Sequence, residues 1–147
     1  MALSSDKLTE ELTLFFKQAR ESHERFTKAW DENFPKMGQK YKSTPLYKSR
    51  LDAMRLAEKR IDNKIQPVID ELGSSSRAHI DIAIAYLAVP ERHFRSGYNK
   101  ELICKLFKRI ELSKDEQHDI KRAWQTAQPS LGGREKKAFL KLLTSFG

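Results

Sequence analysis

The segment from residue 91 to residue 100 carries the side chains best suited to acid–base chemistry. It places His93 between Arg92 and Arg95. A histidine can move a proton near neutral pH, and guanidinium groups can hold a phosphate while a bond to it breaks. A nuclease that works without a metal needs this combination. A polar loop after a buried helix commonly has the same composition, so we expect no enzyme and interpret Arg92 and Arg95 as phosphate-binding residues.

The other residues that could catalyse a reaction or hold a metal are scattered along the chain. There are four histidines and one cysteine, Cys104, and they lack the spacing of a zinc site. His79 and Asp81 are two residues apart, so on a helix they point in different directions. Residues 130–134 lack the lysine followed by serine or threonine that a P-loop needs. Their amides could hold a phosphate with help from Arg134, Lys136 and Lys137, but we interpret them as a plain helix cap. The sequence therefore predicts no metal and no cofactor.

A second group of candidates combines lysines with aromatic rings around residue 41. An unpaired base could stack on Tyr41 or Tyr47 while the lysines follow the nucleic-acid backbone. In the alternative, Tyr47 belongs to the core and the lysines are only solvated. The predicted nucleic-acid-binding residues in this group are Lys36, Lys40, Tyr41, Lys42 and Lys48, continued along the next helix by Arg55 and Lys59.

The third group lies on a predicted helix after residue 113. The turn at residues 111–113 has a length that suits a helix-turn-helix. Glutamine and arginine can hydrogen-bond to base edges in the major groove, and lysine neutralises phosphate. The predicted contact residues are Lys114, Gln117, Lys121, Arg122 and Gln125. Any solvated helix has a similar composition and this turn lacks glycine, so a plain solvent-facing helix is the alternative.

Positive charge is concentrated in two regions of the 147-residue chain, which has 28 basic and 20 acidic residues and a net charge of +8. Residues 36–64 contain nine basic and three acidic side chains, and residues 91–147 contain thirteen basic and seven acidic ones. The first 35 residues are slightly acidic. Because a basic surface attracts anions, the charge predicts nucleic acid or an acidic protein as the partner.

The elements that must position these groups are organised around the apolar residues 78–89. This run is shorter than the roughly 20 residues that cross a membrane, so no membrane contact is expected. A buried strand is the alternative, because Ile80, Ile82 and Ile84 alternate. Serine caps upstream, several alanines within the run and Pro90 at its end favour a helix over residues 77–88.

Two long amphipathic helices precede this central helix. The first is predicted to start near Ser5 and to stop at Pro35, and the second to start at the Thr44–Pro45 cap. The second has a heptad seam that Glu58 interrupts, a kink expected from Pro67, and a terminal Gly73. Because each helix has one apolar seam, we expect an antiparallel hairpin.

Three shorter helices follow. We expect Asn99 to cap the first of them and residues 113–116 to form a capping box on the second. Pro129 and two glycines separate the second from the third. The predicted fold is all-α, a long hairpin (1–73) on a buried central helix (74–90) and a basic C-terminal three-helix unit (91–147), within one domain of residues 1–147.

Composition and charge together lead to two functional hypotheses. The first is a cytoplasmic basic protein, since a single cysteine and a start without signal-peptide features are typical of that compartment. It would bind nucleic acid, DNA or RNA, or a nucleoprotein complex, mainly through phosphates. The second is a protein-interaction module, an adaptor or inhibitor that binds an acidic protein or forms a homodimer with another copy of itself.

Overall fold

The computed structural model describes residues 2–93 and 95–146, with side chains from residue 6 onwards. Within these ranges the chain forms six α-helices, two short 3₁₀ helices and no strand. The α-helices are α1 (Ala2–Met37), α2 (Pro45–Gly73), α3 (Ile80–Ala88), α4 (Ser96–Phe107), α5 (Lys114–Ala127) and α6 (Gly133–Thr144), and the 3₁₀ helices are Gly38–Ser43 and Gln128–Ser130. The predicted all-α fold is confirmed.

Helices α1 and α2 form the predicted antiparallel hairpin. Lys64 Nζ lies 3.0 Å from Glu11 Oε1, and His23 Nδ1 lies 3.2 Å from Met54 Sδ, so residue numbers run in opposite directions along the two helices. The predicted seams meet, and the buried side chains along them are Leu12, Phe16 and Ala19 on α1 and Ala57, Ile61, Ile65, Val68 and Leu72 on α2. Ala57 takes the buried position beside the half-buried Glu58.

The ends of the hairpin helices differ from the prediction in three places. Helix α1 begins at Ala2, three residues before Ser5, and both helices end differently. Pro35 does not stop α1, which runs to Met37 before Gly38 turns the chain with φ +61°. A proline within the last turn removes only one backbone hydrogen bond, whereas the left-handed Gly38 ends the helix. At the end of α2 the left-handed residue is Ser75, with φ 62°, and Gly73 is still helical. The predicted cap at the start of α2 is confirmed, since Thr44 Oγ1 accepts the Tyr47 amide at 3.3 Å.

Helix α3 is the centre of the molecule, as predicted. Residues 83–87 are all buried, and α3 packs against α1, α2, α4 and α5. It begins at Ile80, three residues later than predicted. Arg77 lies in the connection before it, where its Nη2 donates to Glu116 Oε1 at 2.6 Å. No helix in the described part of the chain combines the length and apolar character that a bilayer crossing requires.

The capping box at the start of α5 is confirmed. The Glu116 amide donates to Ser113 Oγ at 3.1 Å, and the Ser113 amide donates back to Glu116 Oε1 at 2.8 Å. Partial burial acts to raise the pKa of Glu116. Hydrogen bonds from the Ser113 amide and the Arg77 guanidinium outweigh this effect and hold the pKa below its usual range. The carboxylate therefore joins the start of α5 to the connection before α3.

The C-terminal helices do not pack as a helix-turn-helix. Helix α4 packs against α6 and α2, whereas α5 packs mainly against α3, and α4 and α5 have little contact in the described ranges. That prediction is wrong because the apolar face of α5, with Ile120 and Ala123 buried, is taken up by α3. Asn99 is also not a cap, since α4 already begins at Ser96 and Asn99 is buried within its second turn.

Apolar side chains from all six α-helices form one core cluster. The division into a single domain with three regions stays a prediction, and this shared core supports it. The basic C-terminal helices α4 and α6 pack side by side through buried residues of this core, such as Ile103, Phe107, Phe139 and Leu142.

Candidate nucleic-acid interface

A groove between α4 and α6 gathers five basic side chains around a cavity of about 370 Å³. We call it the α4–α6 groove, and its basic residues are Lys105 and Lys108 from α4 and Arg134, Lys137 and Lys141 from α6. The spacing of three and four residues places each set on one face of its helix. Lys108, Lys137 and Lys141 also border a neighbouring groove with Lys136 and the exposed Leu140.

One carboxylate offsets this charge. Glu101 Oε2 lies 3.5 Å from Lys105 Nζ and 3.6 Å from Arg134 Nε. Among the described residues, no acidic group lies within ion-pair distance of Lys108, Lys137 or Lys141. Like charges held this close repel each other, so the groove favours the approach of an anion that neutralises several of them at once.

Arg92 is held near the start of α4 and α6 by a buried carboxylate. Its Nη2 lies 3.7 Å from Glu135 Oε2, and Glu135 is only 5% exposed. A Cβ atom at Gly97 or Gly132 would collide with this carboxylate, so both glycines leave the space that Glu135 occupies. The guanidinium group remains about half exposed and can still meet a ligand.

Tyr98 and Arg95 continue the basic surface towards the start of α4. Both are exposed, and Tyr98 shares the face of α4 that carries Glu101, Lys105 and Lys108, because the steps between them are three, four and three residues. The structure thus relates the predicted Arg92 and Arg95 to the five groove residues, none of which is among the predicted nucleic-acid-binding residues. Their helical spacing was visible in the sequence, but the pairing of α4 with α6 was not.

The basic residues at the hairpin turn are exposed, as their predicted role requires, but Tyr41 is not. Lys36, Lys40, Lys42, Lys48, Arg55 and Lys59 are all exposed. Tyr41 is 1% exposed, and its ring packs edge-on against Trp30 and Tyr47, with centroids 5.8 and 5.4 Å away. Base stacking on Tyr41 is therefore wrong for this structure, because the aromatic cluster that closes the hairpin turn encloses the ring.

Helix α5 presents most of its predicted contact residues to solvent. Lys114, Lys121, Arg122 and Gln125 are exposed, and Gln117 is half-buried. Gln117 Nε2 donates to the Leu112 carbonyl at 3.2 Å, so that amide already has a structural partner. Arg122 lines a separate groove with the acidic residues Asp6, Glu10 and Asp119, which makes that surface less positive than the α4–α6 groove.

His93 belongs to a buried hydrogen-bonded chain, which we call the His93 network. Its Nδ1 lies 3.0 Å from Glu58 Oε2 and its Nε2 lies 2.8 Å from Tyr86 Oη, which accepts a hydrogen bond from Asn99 Nδ2 at 3.1 Å. Burial raises the pKa of the Tyr86 phenol, which therefore keeps its proton and can donate it to Nε2. The other ring nitrogen, Nδ1, faces the Glu58 carboxylate.

This chain connects α2, α3 and α4 through the loop that carries His93. The imidazole side chain is fully enclosed. A substrate phosphate therefore has no route to it in this structure, and the acid–base chemistry considered for residues 92–95 has no accessible histidine.

Lys100 is a buried cation in the same region. Its side chain donates from Nζ to the Val89 carbonyl at 2.8 Å, and the residue is 1% exposed. Burial lowers the pKa of this ammonium group from 10.5 to about 8, against the opposing attraction of Glu135. The folded protein thus binds this proton less tightly than the unfolded chain does.

We expect the stability of the protein to rise between about pH 8 and pH 9. Above pH 8 the folded state releases the Lys100 proton while the unfolded state keeps it. This difference raises the free energy of unfolding by about 1 kcal/mol between pH 8 and pH 9. Above pH 9 the buried Cys104 opposes the gain, because burial raises the pKa of its thiol to about 12. Urea unfolding at pH 7.5, 8, 8.5 and 9 measures the slope, and the Lys100→Met variant is the control. An equal slope in both proteins would contradict the assignment to Lys100.

Fold and site define the class to which the protein belongs: an all-α protein with a lysine-lined groove between two C-terminal helices. Comparison with known proteins finds no matching family model, no similar curated sequence and no similar solved structure.

Proposed function

We propose that the protein binds nucleic acid, or a nucleoprotein complex, mainly through phosphate contacts in the α4–α6 groove. The observation that supports this is the alignment of five cations along one groove against a single carboxylate. The exposed lysines at the hairpin turn provide a second, weaker surface for the same kind of contact.

The arrangement of the cations favours a polyanion over a small anion. Residues three and four apart on a helix lie about 5–6 Å from each other. A single phosphate ion can therefore reach only one or two of these side chains, whereas a phosphodiester backbone can meet several in succession. Lysine acts on phosphate as a point charge without fixed geometry, so binding of this kind carries little base specificity.

The test is the salt dependence of oligonucleotide binding by the full chain. Fluorescence anisotropy with a labelled oligonucleotide gives Kd over a range of KCl concentrations. In the variant Lys105→Gln/Lys108→Gln/Lys137→Gln/Lys141→Gln, we expect binding about 100-fold weaker at about 50 mM salt. The slope of log K against log salt should fall by about 3 to 4, because each duplex phosphate contact contributes about 0.9 to it.

The matched control removes the same charge from the hairpin turn, outside the α4–α6 groove. In Lys36→Gln/Lys40→Gln/Lys42→Gln/Lys48→Gln we expect a smaller loss of affinity and a smaller change of slope. An equal or larger loss in this control would show that the groove is not the main site. Failure of the wild-type protein to bind any oligonucleotide at micromolar concentration in low salt would overturn the whole proposal. In that case the acidic-protein alternative, probed with polyglutamate, would gain support.

A further inference from the structure

The aromatic ring of Tyr98 lies on the protein surface and does not contribute to the packing of the helices. It is 65% exposed, and of the aromatic side chains in the described ranges no other is mostly exposed. Its ring makes no aromatic contact and its hydroxyl no hydrogen bond with any described residue. The comparable rings near the hairpin turn, such as Trp30 and Tyr47, pack against one another. An unpartnered ring on the surface offers a free aromatic face to a ligand.

Tyr98 lies on the same side of α4 as the lysines of the α4–α6 groove. Lys105 lies seven residues further along α4, which is two turns and about 10.5 Å away on nearly the same face. Lys108 lies about 15 Å from Tyr98 along the axis. Glu101 lies between them, but its carboxylate already faces two cations of the groove. The ring is therefore at one end of a line of positive charge.

We propose that this line binds single-stranded nucleic acid, with the phosphate backbone in the α4–α6 groove and an unpaired base stacked on Tyr98. This inference rests on the proposed function and deepens it. A basic track combined with an aromatic platform is how proteins hold single strands, because every base has a face on which a ring can stack. In a duplex both faces of an internal base are covered by its neighbours, so Tyr98 would add nothing there.

Arg92 and Arg95 extend the line beyond Tyr98. Both are exposed at the start of α4, and Glu135 holds the guanidinium group of Arg92 in place. A strand that continued past Tyr98 would therefore meet further cations on that side. The tyrosine thus lies between two groups of positive charge, where the backbone on each side of a stacked nucleotide can be neutralised.

The experiment compares single-stranded and duplex ligands across substitutions at Tyr98 in the full chain. The probes are labelled 12-mers of oligo(dT) and oligo(U), and a 12-base-pair DNA duplex. Tyr98→Ala should bind the single strands about 10-fold more weakly and the duplex with unchanged Kd. Tyr98→Phe should retain wild-type affinity for all three, since it keeps the ring. Because no charge is removed, the salt dependence should be the same in every variant.

A second readout reports the contact itself. In Tyr98→Trp the indole should stack on a base, so titration with oligo(dT) should quench its fluorescence more than it quenches the wild-type protein. Leu14→Ala, at another exposed apolar side chain, should leave binding unchanged. Circular dichroism confirms that each variant is folded, which is expected because Tyr98 is on the surface.

The failures of the two proposals differ. If the wild-type protein binds no nucleic acid, the proposed function fails. If it binds, but Tyr98→Ala retains wild-type affinity for single strands, or loses single strands and duplex equally, only the stacking inference is overturned.

Discussion

Replacing Phe16 with alanine is expected to lower the free energy of unfolding by about 4 kcal/mol. The residue is fully buried in the described structure, with 0% exposure. Its ring packs edge-on against Tyr86 and His93, with centroids 5.1 and 4.3 Å away, so it fills the space where α1 meets α3 and the loop before α4. Urea unfolding followed by circular dichroism measures the loss.

The control for this substitution is Leu14→Ala in the same helix. Leu14 is 53% exposed, so its truncation should change the free energy of unfolding by less than about 0.5 kcal/mol. An unfolding midpoint of Phe16→Ala equal to that of the wild type would contradict the packing of this ring against Tyr86 and His93. Because the ring is enclosed within one chain, a change of apparent mass in Phe16 variants would report unfolding and not the loss of a homodimer contact.

The parts of the fold that follow from short-range patterns were predictable from the sequence. The apolar seams of α1 and α2, the Thr44 cap and the capping box at Ser113 depend on residues three or four apart, and all are confirmed. The errors at Asn99 and in the expected helix-turn-helix lie where tertiary packing competes with a local signal. Asn99 is a residue type typical of helix caps, but it lies inside α4, where its side-chain amide donates a hydrogen bond to the Tyr86 hydroxyl.

The candidate site depends on longer-range packing. Lys105 and Lys137 are 32 positions apart, and only the docking of α6 on α4 brings them to one groove. Tyr41 shows the reverse effect: its flanking lysines suggested exposure, whereas the aromatic residues of the hairpin turn enclose its ring. Charge counts thus indicated an anionic partner, which stays a prediction, whereas finding which basic residues lie in one groove required the structure.

The largest effect outside the apolar core is expected from His93→Ala, which should lower the free energy of unfolding by about 3 kcal/mol. The substitution leaves the Tyr86 hydroxyl without its acceptor and removes a hydrogen bond from Glu58, which is 35 positions away in the sequence. It also removes the ring that packs against Phe16. Glu58 interrupts the apolar seam of α2, and its hydrogen bond with His93 explains why a carboxylate is found at that position. Chemical unfolding at pH 7 measures the effect.

A double-mutant cycle with Tyr86→Phe tests whether the His93 network acts as a unit. Tyr86→Phe alone leaves Nε2 of the buried imidazole without its donor and should cost about 1–3 kcal/mol. Once His93 is absent, the same substitution should cost at least about 1 kcal/mol less, because the hydroxyl has already lost that partner. Strict additivity of the two losses in unfolding free energy would show that His93 and Tyr86 are not coupled through this hydrogen bond.

Oligonucleotide affinity, measured where both proteins are folded, should be the same for His93→Ala and the wild type. That separates the network, which holds α2, α3 and α4 together, from the groove residues that we expect to meet the phosphates.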